Sequence, residues 1–81
     1  MKVRVLLFAQ LREIFGKDEW IVQVREGTTV EELACVLIQK SGHAPLARIP
    51  LVYAVNEQFE SGRKKLKDRD VVALMPPVSG G

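Results

Sequence analysis

The sequence predicts an α+β fold in which a small sheet packs against one main helix. Three observations predict it. Short segments rich in Val, Leu and Ile, with two-residue alternation, open and close the chain. Only one segment, 29–41, sustains a 3.6-residue apolar stripe. The length of 81 residues suits one domain, and 47% apolar residues suffice for one core.

The elements follow in order. Lys2 to Ala9 alternates and reads as a strand, with Val3, Val5 and Leu7 facing the core and Lys2, Arg4, Leu6 and Phe8 facing away. Leu11, Ile14 and Phe15 stand at helical spacing before Gly16, which predicts a short helix over 10–15 with a glycine stop. Lys17-Asp18-Glu19 is a polar turn. Trp20 to Val24 is a second strand, with Trp20, Val22 and Val24 on one face and Arg25-Glu26-Gly27 as its exit. Thr28 with Glu31, or Thr29 with Glu32, fits a capping box at the start of the main helix. Val30, Leu33, Ala34, Leu37 and Ile38 form its buried stripe, and Gly42 is its stop. His43 to Pro50 contains two prolines and reads as a loop. Leu51 to Val55 is the third strand, ended by Asn56-Glu57. Phe59 falls in a polar stretch, and the basic run Arg63–Arg69 reads as a solvated loop anchored by Leu66. Val71 to Met75 is the last strand, with Val72 and Leu74 on one face and Val71, Ala73 and Met75 on the other.

Composition excludes several classes. Twelve basic and ten acidic residues leave a net charge of +2, and aromatics are 6%. Neither nucleic acid nor an anionic membrane is indicated as a partner. One cysteine and one histidine rule out a disulfide framework and a structural zinc site, so no metal is expected. The first uncharged apolar run, Val5 to Ala9, is shorter than a secretory or membrane-spanning segment, and the expected compartment is the cytoplasm. No phosphate loop, dinucleotide fingerprint or nucleophile elbow occurs. The acidic pairs Asp18-Glu19 and Glu31-Glu32 read as turn and cap chemistry. Cys35 adjoins the helix stripe and reads as a small buried hydrophobe. His43 is a loop histidine without assigned function.

The distinctive feature is the end of the chain. The reading divides it into a domain over 1–75 and an extended tail over 76–81. Pro76-Pro77 cannot donate backbone hydrogen bonds and favours an extended conformation. Val78, Ser79, Gly80 and Gly81 follow, and the flexible Gly-Gly end is slim enough to thread a narrow tunnel. Extended, the tail reaches on the order of 20 Å from the body. Its chemical handle is the Gly81 carboxylate. That group is ionised at neutral pH and is a poor electrophile, so a partner has to activate it before a nucleophile attacks.

The chain resembles the small subunit of molybdopterin synthase, the MoaD family of ubiquitin-like sulfur carriers. The resemblance rests on Val5-Leu6-Leu7-Phe8-Ala9-Gln10-Leu11-Arg12-Glu13, on Ala54-Val55-Asn56 with Leu66-Lys67-Asp68-Arg69-Asp70, and on Val72 to Gly81. Pro-Pro-Val-Ser before Gly-Gly is the feature that separates it from the thiamin-pathway carriers. Two positions depart from the family pattern: Arg69 stands where glycine is frequent, and Met75 where Phe or Ile is common. The resemblance implies a ubiquitin-like β-grasp with a mixed sheet of about four to five strands. It implies that an E1-like enzyme uses ATP to adenylate Gly81, and that a sulfur donor of the cysteine desulfurase or rhodanese type makes the thiocarboxylate. The tail then enters the large synthase subunit, in a heterotetramer, and sulfur passes to cyclic pyranopterin monophosphate. On this reading the chain is a non-catalytic carrier without a tightly bound cofactor. Phe8, Phe59 and Met75 are candidates for the docking patch. The alternatives are a carrier for thiamin or tRNA thiolation, a protein modifier, and a β-grasp interaction domain.

Overall fold

Alternation at the start of the chain and the single apolar stripe generate two layers, a five-stranded sheet and one helix laid across it. The computed structural model describes residues 1–42 and 50–77; residues 43–49, with His43 and most of the expected proline loop, and residues 78–81 lie outside them. The elements are β1 (Lys2–Leu7), α1 (Gln10–Phe15), β2 (Glu19–Gln23), α2 (Val30–Ser41), β3 (Val52–Val55), β4 (Gln58–Glu60) and β5 (Val71–Met75). The sheet order is β2-β1-β5-β3-β4. β1 and β5 are parallel, and every other pairing is antiparallel. This is the mixed sheet expected of a β-grasp.

The core lies between α2 and one sheet face. Val3, Val5 and Leu7 of β1, Val72 and Leu74 of β5, and Val30, Leu33 and Leu37 of α2 are closed off from solvent. Each such side chain contributes about 1.5–3 kcal/mol through burial. The strand faces are those read from the alternation.

α2 begins as its sequence dictates, and Thr29 rather than Thr28 is the cap. Thr29 Oγ1 accepts from the Glu32 N–H at 3.3 Å, and Glu32 Oε1 accepts from the Thr29 N–H at 3.1 Å. The next two N–H groups donate to the loop after β4, Val30 to Lys64 O at 2.9 Å and Glu31 to Gly62 O at 3.0 Å. A Cβ at Gly62 would stand 2.8 Å from Glu31 Cβ, so only glycine fits this approach. The helix stops at Gly42 with φ 76°.

Three readings need correction and one is borne out. β1 ends at Leu7 rather than Ala9, because Ala9 turns into α1 with φ 51°. Trp20, Val22 and Val24 share the core side as read, with Trp20 and Val24 half-buried because β2 is an edge strand. Cys35 is exposed, because the buried positions 30, 33, 34, 37 and 38 place residue 35 on the outer side of α2. Phe59 lies not in a loop but on β4, a three-residue edge strand whose flanking Gln58 and Glu60 hide it from a hydropathy reading. The basic run is solvated as expected, with Leu66 buried beneath it.

Candidate functional site

Among the described residues, α2 covers one face of the sheet and no element covers the other. Register places the open-face residues in rows across the strands. Glu19 pairs with Leu6, Leu6 with Ala73, Ala73 with Ala54, and Ala54 with Phe59. Side chains paired in register share a face. This row therefore runs across all five strands, with two alanines between Leu6 and Phe59. Small side chains in the middle and larger ones at either side make a shallow apolar trough. Phe59 is 78% exposed at its rim. On the β2 side Ile21, paired with Arg4, is 56% exposed.

The second row lies at the end where β5 leaves the sheet. Met75 pairs with Val52. Phe8 follows Leu7, the partner of Leu74, and so lies level with Met75 on the neighbouring strand. Phe8 is 46% exposed and Met75 half-buried. Phe8 and Met75 thus both stand one residue past the last β1–β5 pair, at the tail end of the sheet. The structure places Phe59 one row below them, on the edge strand beyond β3. Phe59, which falls in a polar stretch of the sequence, is the most exposed of the three.

The tail is rooted in the middle of the sheet. β5 is flanked by β1 and β3, so the chain emerges between two neighbours rather than from an edge. Pro76 is half-buried and Pro77 exposed. Their missing N–H groups end the ladder at Met75. Val78, Ser79, Gly80 and Gly81, the predicted chemical end of the site, lie outside the described residues.

A charged pair borders the trough. The Arg4 guanidinium donates to both Glu19 oxygens, at 2.7 and 3.0 Å. The hydrogen bond from Arg4 holds the Glu19 carboxyl below its ordinary range, and Arg4 is correspondingly raised. Both side chains are about half exposed, so the pair shapes the rim more than it stabilises the fold.

The sequence reading set Leu6 and Ala73 on faces away from the core but did not join them with Ala54 into a floor, and it missed the exposed Ile21. The signal available for β4 was the Gln-Phe-Glu alternation after an Asn-Glu turn, both of whose residues have positive φ, 51° and 71°. Among the described residues no group of three or more His, Cys, Asp or Glu could hold a metal ion. None of their helices is long and apolar enough to cross a membrane.

Comparison with known proteins agrees with this geometry. The model of a family described as the ThiS family matches residues 5–81. A molybdopterin synthase sulfur carrier subunit of Chlamydomonas reinhardtii is 35% identical over 85 residues, covering 100% of both chains. Among solved structures, a putative molybdopterin converting factor, subunit 1, from Pyrococcus furiosus superposes with a TM-score of 0.83 at 31% identity, covering 96% of this chain and 99% of the other. A complex of subunits 1 and 2 of the molybdopterin-converting factor from Helicobacter pylori matches with a TM-score of 0.67 at 27% identity over 100% of each chain.

Proposed function

The chain belongs to the ThiS family, and from that premise we propose that it is the sulfur-carrier small subunit of a molybdopterin synthase. The observation that carries the reading is the root of the tail. A central strand ends in Pro76-Pro77 beside an uncovered apolar face, so one partner can grip the face and receive the tail together.

Gly81 is the reacting residue. Its carboxylate attacks the α-phosphorus of ATP in an E1-like enzyme, forming the acyl-adenylate and releasing pyrophosphate. The terminal sulfur of the donor's persulfide then attacks the acyl carbon and displaces AMP, a thiol reduces the S–S bond of the resulting acyl disulfide, and the thiocarboxylate so released carries its negative charge on a soft, nucleophilic sulfur. Gly80 to Pro76 form the part that threads the large subunit. There the sulfur attacks a carbon of cyclic pyranopterin monophosphate, and water hydrolyses the acyl–sulfur bond, leaving the sulfur on the product and regenerating the Gly81 carboxylate. The acid, base and electrostatic groups for that transfer belong to the large subunit, so this chain is the donating partner rather than the catalyst. It holds no cofactor of its own, and ATP is consumed by the activating enzyme. The compartment is the cytoplasm.

Phe8 and Phe59 dock on the large subunit as exposed aromatic anchors, with half-buried Met75 as apolar surface beside the tail. Gly80 tests the threading. Gly80→Val widens the tail and restricts its backbone. The variant is expected to abolish formation of molybdopterin from the purified thiocarboxylated carrier and large subunit, while the melting temperature stays unchanged. Full transfer by Gly80→Val would contradict the threading mechanism.

A further inference from the structure

We propose that Asn56 and Asp70 are the register pin of β5, a pair of positioning residues that fixes which residue leaves the sheet for the tail. The functional consequence rests on the carrier reading; the pin itself does not.

Register is weakly specified in this strand by hydrophobicity. β5 reads Val-Val-Ala-Leu-Met and β3 reads Val-Tyr-Ala-Val, both apolar on both faces. A slip by one residue exchanges Val72 and Leu74 for Val71, Ala73 and Met75, with no charge driven into the core. β1 lacks this freedom at its start, where Lys2 and Arg4 mark the outer face, but Leu6 and Leu7 beside β5 do not. Some other feature has to select the observed alignment.

The polar groups at the start of β5 supply it. Asn56 Oδ1 accepts from the Val71 N–H at 2.9 Å, and the Asn56 N–H donates to Val71 O at 2.8 Å. The side chain thus completes a ladder pair that the β3–β4 turn would otherwise leave open. Asn56 Nδ2 donates to Asp70 Oδ1 at 2.9 Å, and the Lys67 N–H donates to Asp70 Oδ2 at 2.8 Å. Asp70 is the one buried charged residue among those described, at 8% exposure. Its backbone oxygen accepts from the Arg4 N–H at 2.9 Å, which ties the same point to β1. A slip in one direction draws Asp70 into the sheet and strips its carboxylate of both partners. A slip in the other brings Pro76, which has no N–H, between two strands. Either slip breaks the Asn56–Val71 exchange.

Register sets the geometry of delivery. Each residue of slip moves the root of the tail by about 3.3 Å and turns Met75 to the opposite face. Displacements of that size are large against the tolerance of a group transfer.

Asn56→Gly is the test, because glycine accepts the positive φ of the turn while losing only the side-chain bonds. The readouts are cross-strand nuclear Overhauser contacts between Ala54 and Ala73 and hydrogen exchange of the β5 amides, followed by single-turnover sulfur transfer. Asn56→Gly is expected to show a second set of β5 signals, faster exchange and transfer slowed about tenfold or more. Thr29→Ala, which loses a bond local to α2, is expected to keep one set and transfer within about twofold of wild type. Asp70→Asn turns an amide N–H2 toward one of two donors and is expected to behave like Asn56→Gly. If both pin variants keep the native contacts as the sole set, the proposal is overturned. Absence of sulfur transfer by the wild type would instead defeat the carrier reading, and the spectra, which need no partner, would still decide the pin.

Discussion

The two faces of the sheet are made from the same five strands and do opposite things. The inner face presents Val3, Val5, Leu7, Val72 and Leu74 to α2 and is closed. The outer face presents Phe8, Ile21 and Phe59 to solvent over a floor of alanines. The contrast separates apolar area that folding consumes from apolar area left available to a partner. An apolar group sealed against a helix contributes to folding, whereas one left uncovered contributes when a partner arrives. The comparison predicts that inner-face substitutions change stability and that outer-face substitutions change association.

The largest expected effect breaks the inner face. Leu37→Ala leaves a cavity under α2 and should cost about 2–5 kcal/mol, read by denaturant unfolding. A cost below about 1 kcal/mol would show that the core is not centred on this helix.

Phe59→Ala sharpens the outer side of the comparison. Its stability should stay within about 0.5 kcal/mol of wild type. Affinity for the large subunit, measured by calorimetry, should fall by about 1–3 kcal/mol, roughly fivefold to a hundredfold. A variant that unfolds more easily yet binds normally would reverse the assignment of faces.

The remaining predictions are smaller and lie away from both faces. Thr29→Ala removes the cap of α2 and should cost about 1 kcal/mol without loss of sulfur carriage. Arg69 is held at φ 70°, so Arg69→Gly should raise stability by up to about 1 kcal/mol, read as a higher melting temperature. Glu32 gives the smallest effect. The Thr29 backbone N–H, and then its hydroxyl, hold the Glu32 carboxyl below its ordinary value. A depressed folded-state value means that this contribution is present above the ordinary carboxylate pKa and is lost as pH falls through the folded one. The stability difference between wild type and Glu32→Gln should therefore narrow in acid; a gap that widens on acidification would contradict the cap geometry.

Much of this organisation was legible in the residues. The stripe Val30-Leu33-Ala34-Leu37-Ile38 and the alternation of β1 dictate both layers, and the Val71–Met75 strand falls where its pattern put it. Three things were not legible, for separate physical reasons. Cys35 lies next to the stripe in sequence but on the far side in space, since neighbouring helical residues are turned by about 100°. β4 is a three-residue edge strand with a single apolar side chain, too little periodicity to register. The Asn56–Asp70 contact joins groups fourteen residues apart, and no local pattern announces it. The resemblance singled out Arg69 as a departure, and the structure supplies its meaning, a left-handed position that glycine fits without strain. The expected chemical end, Gly80 and Gly81, lies beyond the described residues and is read from the sequence alone.

The most direct measurement is the intact mass of the protein after incubation with ATP, a sulfur source and the E1-like enzyme, with fragmentation of its C-terminal peptide. The account predicts replacement of one oxygen by sulfur, located at Gly81 and dependent on ATP. An unchanged carboxylate under those conditions would contradict it, as would Gly81 recovered in amide linkage to lysines of other proteins in place of the thiocarboxylate.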